Sequence, residues 1–395
     1  MRIGLMSFAH VHAASYARLL GAWPGVEVVA TDPDHGRRPG ETGGAAMAAE
    51  LGVDYVEDYA ALLATRPDGV IVCAENVEHR RLVELAAAAG AQVLCEKPIA
   101  TTLEDADAMT AACAAAGVQL MIAHPVRFAP AFAGLREVVA AGTLGEIVSI
   151  AGTNNGRIPR GDRAWFVDPA AAGGGALTDH LVHVLDLLDA LWPDSRVTSV
   201  YAVANRLLHP DAAVETGGLA ALRLDLESAS GRRQVPVVID ASWSRPDSYA
   251  TWGGLTLRLI GTGGLTDLDP FALRVGGHLE SAGNAAWIPY GPDLDALLLA
   301  SFLDVVAGSG TASPDGAAGT RGLAVVLAAY ASVASGQPVA PRACAAVGAG
   351  QRPATSRSPG PSDAPTGCSR DGSAATSRRS GARRAARGPA SWCTG

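Results

Sequence analysis

Residues 69–98 read GVIVCAENVEHRRLVELAAAAGAQVLCEKP. The two apolar runs, GVIVCA (69–74) and AQVLCE (91–96), lack the alternation of a half-exposed strand, so both faces of each must be covered. The Ala/Leu-rich segment between them, near 77–89, reads as a crossover helix, which makes the two strands parallel. The same unit repeats on either side. RIGLMS (2–7), VEVVAT (26–31) and VQLMIA (118–123) are further apolar strands, with candidate helices near 11–20, 43–51, 58–65 and 104–116. Residues 1–122 therefore read as an α/β, Rossmann-like doubly wound parallel sheet, a dinucleotide-binding domain.

Beyond it the period changes. A helix near 130–140, the strand EIVSIAGT and an irregular stretch NNGRIPRGDRAWFVDPAAAGGG lead into a helix from about Gly175 to Trp192. VTSVYAVANR (197–206), GGLAALRLDL (217–226), QVPVVIDASW (234–243) and GLTLRLIGT (254–262) follow with few helical interruptions, as in a largely antiparallel open sheet. Apolar helices near 293–307 and 317–335 close this α+β substrate and oligomerisation domain, 123–340. Residues 341–395 contain no Leu, Ile, Met, Phe or Tyr, with one Val and one Trp. Such a segment cannot bury enough apolar surface to offset chain entropy, and a disordered C-terminal tail is expected.

Nine Arg against two Asp make the tail basic and the rest of the chain acidic, which argues against a nucleic-acid partner. The six cysteines show no CxxC spacing, and Cys73 and Cys95 sit in buried strands, the pattern of a reduced cytoplasmic protein and not of a disulfide scaffold or zinc ribbon. The first strand begins within two residues of Met1, leaving no room for a signal peptide, and no apolar run reaches about 18 residues, so no membrane association is expected.

Lys97 is the only lysine in 395 residues, beside 30 arginines. An ammonium can share or lose a proton where a guanidinium cannot, so its retention at this one strand end suggests chemistry. The first strand–helix turn would usually carry G-x-G-x-x-G to hold a dinucleotide. Here Ser7, Ala9 and His12 occupy the glycine positions. Ser7 and Ala9 are small enough for a tight turn, and the helix start still offers unpaired N–H groups to an anion. Asp32, at the end of the second strand, is placed to accept ribose hydroxyls and disfavour a 2′-phosphate, which selects NAD; neighbouring Arg37 and Arg38 leave NADP admissible.

His10-x-His12 has a rival reading as the metal pair of a TIM-barrel hydrolase. Such a barrel would continue alternating to about residue 250, whereas this chain stops near 150, and no metal is expected. In GGGALTDHLVHVLDLLDALW (173–192), Asp179 and His183 are four apart and share a helix face that Asp186 continues. Burying a carboxylate and an imidazole on an apolar face is costly, which points to function: the imidazole takes a hydroxyl proton as hydride leaves carbon, and the carboxylate orients it.

Over about residues 1–340 the chain resembles the Gfo/Idh/MocA family of NAD(P)-dependent oxidoreductases. The resemblance rests on Glu96-Lys97-Pro98, on GVIVCAENVEHRRLVELAAAAG with His79, on PVRFAPAF with Arg127, on GGGALTDHLVH with Asp179 and His183, and on AVVLAAYASVASGQPV. It implies hydride transfer between NAD(H) and a secondary alcohol or ketone of a sugar, inositol or related polyol. Lys97 would polarise the reacting hydroxyl, His183 would be the general acid/base, and Asp179 would stand beside it. Ser7, Phe8, Ala9, His10, His12, Asp32, Ala74, Asn76, His79, Glu96 and Lys97 would line the cofactor groove. Lys97, Asp179 and His183 would touch substrate, with Arg127 and Trp165 bordering it. A homodimer or homotetramer through the open sheet is also implied. Two departures fall at the cofactor: the missing glycines, and Glu75 where the family often has Pro after Thr. The same resemblance admits two other outcomes, an NAD-dependent glycoside hydrolase and a non-catalytic cofactor-sensing regulator. The intact Lys97, Asp179 and His183 set speaks against the second.

Overall fold

The computed structural model describes residues 1–159, 163–227, 231–279 and 284–342. The tail expected to be disordered lies outside the described residues from 343 onward. The first part of the chain forms β1 (Arg2–Met6), α1 (His12–Gly21), β2 (Glu27–Thr31), α2 (Gly44–Leu51), β3 (Asp54–Tyr55), α3 (Tyr59–Ala64), β4 (Gly69–Val72), α4 (His79–Ala88), β5 (Gln92–Cys95), α5 (Leu103–Ala116) and β6 (Leu120–Ile122). The sheet order is β3-β2-β1-β4-β5-β6, parallel throughout. The order reverses between β1 and β4, and that switch point opens a crevice at the C-terminal strand ends. Ile3, Leu5, Ile71, Val72, Val93 and Leu94 are fully buried, as strands covered on both faces require. The expected strands all form; β3, two residues on the sheet edge, is too short to leave a sequence signal.

The second part runs α6 (Pro130–Ala140), β7 (Ile147–Gly156), α7 (Pro169–Ala172), α8 (Ala176–Leu191), β8 (Arg196–Asn205), β9 (Gly217–Leu226), β10 (Arg233–Ser242), β11 (Gly253–Gly261), β12 (Gly264–Leu268), β13 (Arg274–Leu279), β14 (Asn284–Pro289), α9 (Leu294–Val306) and α10 (Gly316–Ser335). The sheet order is β12-β11-β7-β10-β9-β8, antiparallel except for β7 with β10. The residues NNG, expected to be irregular, complete β7, which pairs on both sides. α8 lies on the buried face of this sheet, where its leucines and valines join those of β8, β9 and β10 in one core.

One expectation is corrected here. α9 does not close the second sheet; its Leu298, Leu299 and Phe302 bury against Ile3, Leu5 and Met121 of the first. A parallel sheet has two apolar faces to cover, and α9 supplies an apolar surface that one of them lacked. α10 bridges both cores, with Leu323 in one and Val325, Val326, Ala328 and Ala329 in the other. At 20 residues and a mean hydropathy of 1.4 it exceeds the apolar length read from the sequence and would suffice, by length and composition, to cross a membrane. Here Leu323, Val325, Val326, Ala328 and Ala329 are buried against protein, while Val333 faces outward.

Candidate active site

α8 is positioned by its start. The Glu215 carboxylate accepts from the backbone N–H of Leu177 at 2.9 Å, from that of Gly175 at 3.2 Å and from the Tyr330 hydroxyl at 2.7 Å. An anion at a helix N-terminus satisfies donors that would otherwise be orphaned and complements the helix dipole. The triple glycine allows the close approach: a Cβ on Gly174 would stand 2.0 Å from the Tyr330 hydroxyl oxygen. Ala176 through Leu188 are all buried, so every polar side chain on that stretch needs a partner.

Asp179 finds three. Lys97 Nζ donates to Oδ1 at 2.6 Å, Trp243 Nε1 donates to Oδ2 at 3.0 Å, and His180 Nε2 lies 3.1 Å from Oδ2. Burial pushes the Asp179 carboxyl up, but the charges of Lys97 and then His180 outweigh it and hold the group well below its ordinary value. The lone lysine is thus one half of a buried ion pair at the C-terminal end of β5. The expected Asp179–His183 pairing is corrected: the spacing puts both on one face, yet Asp179 turns to Lys97, and His183 packs edge-on against His124 with ring centroids 5.3 Å apart. Burial, then the Lys97 charge and His124, pull His183 well below its ordinary pKa, so the imidazole is neutral at pH 7. Its Nδ1 is buried without a protein partner. Asn76, Lys97, Pro98, Phe166, Gly174 and Asp179 line a small cleft at this point.

The cofactor turn keeps its shape without glycines. Ser7 takes the left-handed conformation (φ 71°) that glycine would adopt most easily, and donates from Oγ to Asp32 at 3.0 Å. Phe8 and Ala9 are fully buried behind it. α1 has no side-chain cap and no acidic residue in its first turn, which leaves its N-terminus receptive to an anion. The Oδ1 of Asn76 is buried and unpartnered, while its Nδ2 donates to the Ala172 carbonyl at 2.8 Å. A receptive helix start, a tight turn and an orphaned polar atom along one crevice fit a dinucleotide. NAD would be held along this crevice by the turn at the start of α1 and by Asn76.

Five expected contacts differ. The Asp32 carboxylate is closed by Arg38, whose Nη2 donates at 2.7 and 2.9 Å, and by the Gly44 N–H at 3.0 Å; Arg38 is itself buried and reaches Glu75 at 3.1 Å. Ribose hydroxyls therefore reach Asp32 only in exchange for Arg38. His79 is fully buried and does not line the groove: Nδ1 lies 3.0 Å from the Pro98 carbonyl and Nε2 3.2 Å from that of Ala74, which ties the Glu96-Lys97-Pro98 segment to the end of β4. Arg127 does not border the Lys97–Asp179 pair. It binds Asp186 through Nε at 3.0 Å and Nη2 at 2.6 Å, two turns along α8, or about 10 Å from Asp179 at 1.5 Å per residue. Trp165 donates to the Ala9 carbonyl at 3.0 Å and stacks on Phe166, so it covers the cofactor turn. Glu96 turns back to accept from Tyr16 at 2.8 Å and lies 3.0 Å from His12 Nδ1.

Trp243, His180, His124 and Glu215 are site residues that the sequence reading missed. His180 stands inside the quoted helix motif and could have been singled out as a second buried imidazole. Trp243 and Glu215 lie beside strand ends, where nothing in their own neighbourhoods points to α8.

A doubly wound parallel sheet, an uncapped helix at its first turn and a lysine–aspartate pair with a neutral histidine at its C-terminal edge define a dinucleotide-dependent oxidoreductase. The chain belongs to the Gfo/Idh/MocA family: residues 3–124 match its oxidoreductase domain with an NAD-binding Rossmann fold and residues 132–266 its C-terminal domain. NAD is accordingly its cofactor. The 1,5-anhydro-D-fructose reductase of Ensifer adhaerens is 30% identical over 301 residues, 74% of this chain and 86% of that protein. The inositol 2-dehydrogenase of Rhizobium meliloti is 30% identical over 169 residues, 42% of this chain and 49% of that protein. The crystal structure of GenD2 from gentamicin A biosynthesis in complex with NAD superposes with a TM-score of 0.74 at 24% identity, covering 87% of this chain and 97% of that one.

Proposed function

We propose that the protein transfers a hydride between NAD(H) and a secondary alcohol or ketone of a sugar, inositol or related polyol. The Lys97–Asp179 pair at 2.6 Å carries this reading, because it holds the lysine head group in place at the edge where such sheets bind ligands. The nicotinamide, when bound, supplies the hydride chemistry. His183, neutral, accepts the hydroxyl proton, and Lys97 donates a hydrogen bond to the oxygen as negative charge develops on it. Asp179 fixes the ammonium from one side and is itself fixed by Trp243 from the other. The likeness to a reductase of an anhydro-sugar and to an inositol dehydrogenase supports the substrate class.

The remaining expectations are part of the same proposal. The binding lobe spans 1–122 with α9 returning to cover its sheet, and the substrate lobe takes the rest of 123–340. Tyr201, Val203, Leu219, Val238, Ile260 and Leu265 are exposed on the face of the second sheet away from α8, a surface for a homodimer or homotetramer. Cys73, Cys95 and Cys113 are free and buried, in keeping with a cytoplasmic protein.

The test is NADH formation with a panel of polyols and sugars. Lys97→Arg and His183→Ala are each expected to lower kcat by roughly 10²–10⁴-fold with circular dichroism unchanged. Wild-type rates in either variant would overturn the assigned roles.

A further inference from the structure

We propose that His10, His12 and Glu96 bind a divalent ion of the zinc class where the cofactor turn meets the end of β5. Nδ1 of His12 lies 3.0 Å and Nδ1 of His10 3.5 Å from the same oxygen, Glu96 Oε1. One ligand atom from each residue falls within 4.8 Å of the other two. Metal–ligand bonds of about 2.0–2.2 Å place tetrahedral ligands about 3.3 Å apart, and the two separations from Glu96 Oε1 bracket that spacing.

The protons point the same way. The backbone N–H of His12 donates to His10 Nδ1 at 3.3 Å, which assigns that nitrogen a lone pair and leaves the ring proton on Nε2, buried and unpartnered. The Nδ1 lone pair therefore faces a carboxylate oxygen, in a pocket where His10 and Glu96 are essentially inaccessible to water. Two electron-rich atoms so placed repel unless a cation stands between them. Supporting donors are present, as metal ligands require: Tyr16 donates to Oε1 at 2.8 Å and the Lys97 N–H to Oε2 at 3.2 Å. The rings of Phe166 and Trp165, 5.5 and 6.4 Å from that of His10, provide an apolar wall.

Two imidazoles and a carboxylate suit zinc or a neighbouring transition ion better than magnesium or calcium. Three protein ligands leave a fourth position for an oxygen donor such as water. The sequence reading expects no metal because it judged His10-x-His12 against a TIM barrel. The third ligand comes from 84 residues further along the chain, across a different fold. Metal ligands must be deprotonated, so binding weakens as pH falls.

The test uses the full chain, stripped of metal, incubated with micromolar zinc and passed through gel filtration. About one zinc per chain is expected by plasma mass spectrometry, and cobalt in its place should give the visible d–d absorption of a tetrahedral ion. His12→Gln and Glu96→Gln should each abolish both signals while thermal unfolding stays cooperative. Should Glu96→Gln fail to fold, His12→Gln decides alone, since that side chain is partly exposed. Wild-type protein with no retained zinc and no cobalt band overturns the proposal, as does wild-type stoichiometry in a folded variant.

Discussion

Asp179 is held by the Lys97 ammonium on one carboxylate oxygen and the Trp243 indole on the other, so the position of the ammonium depends on Trp243 through Asp179. Trp243→Phe removes one donor to a buried anion, and a loss of about 1.5–3 kcal/mol is expected, read as a lower Tm together with a reduced kcat. Arg127 makes a contrasting case. Its bond to Asp186 is internal, so Arg127→Met is expected to cost about 3–5 kcal/mol by leaving a buried carboxylate alone. Substrate KM should hardly move, and Arg127→Met with Asp186→Leu should recover most of the stability. A large KM change in the single variant would return Arg127 to the substrate.

At the scale of elements, α8 carries His183, the proposed acid–base residue, and is aimed by groups outside itself. Glu215→Gln weakens the anionic cap on its N-terminus and is expected to cost about 0.5–2 kcal/mol, seen as a fall of a few degrees in Tm. Gly174→Ala drives a methyl into Tyr330 and is expected to cost about 1–3 kcal/mol, with α8 displaced and kcat lowered in step. The boundaries of α8, β9 and β10 were readable to within a residue or two because their periodicity is local. β12, β13 and β14 were not, being only five or six residues long, with β13 and β14 pairing only with each other among the described strands.

For the whole molecule, acid is the revealing stress. His124 and His183 are both buried, and burial is the first cause holding each below the ordinary 6.5. A histidine with a depressed folded pKa stays neutral in the native state while the unfolded chain takes up a proton. Stability is therefore unaffected above about pH 6.5 and falls as pH drops below it, until the folded value is passed. By pH 5 each group can withdraw up to roughly 2 kcal/mol, at 1.36 kcal/mol per unit. His12, raised by Glu96 against its burial, has the opposite sign: its contribution is present below 6.5 and lost as pH rises through its folded value. Burial likewise lowers His10 and His79, so with four lowered histidines against one raised, Tm should decline between pH 7 and 5, and His183→Asn should reduce that decline. A Tm that is flat over this window would contradict the buried neutral state.

Continuous apolar strands separated by helices dictated a parallel sheet, alternating strands dictated the second one, and Lys97 and His183 stood out by residue type and spacing, because each signal spans only a few neighbouring residues. Which charge each polar side chain meets was decided by tertiary structure alone. Lys97 and Asp179 are 82 residues apart, Arg38 closes Asp32, Glu215 caps a helix from a separate segment, and α9 returns to cover the first sheet. Buried polar groups and uncovered apolar faces cannot remain unmatched, and chain packing determines which match lies within reach.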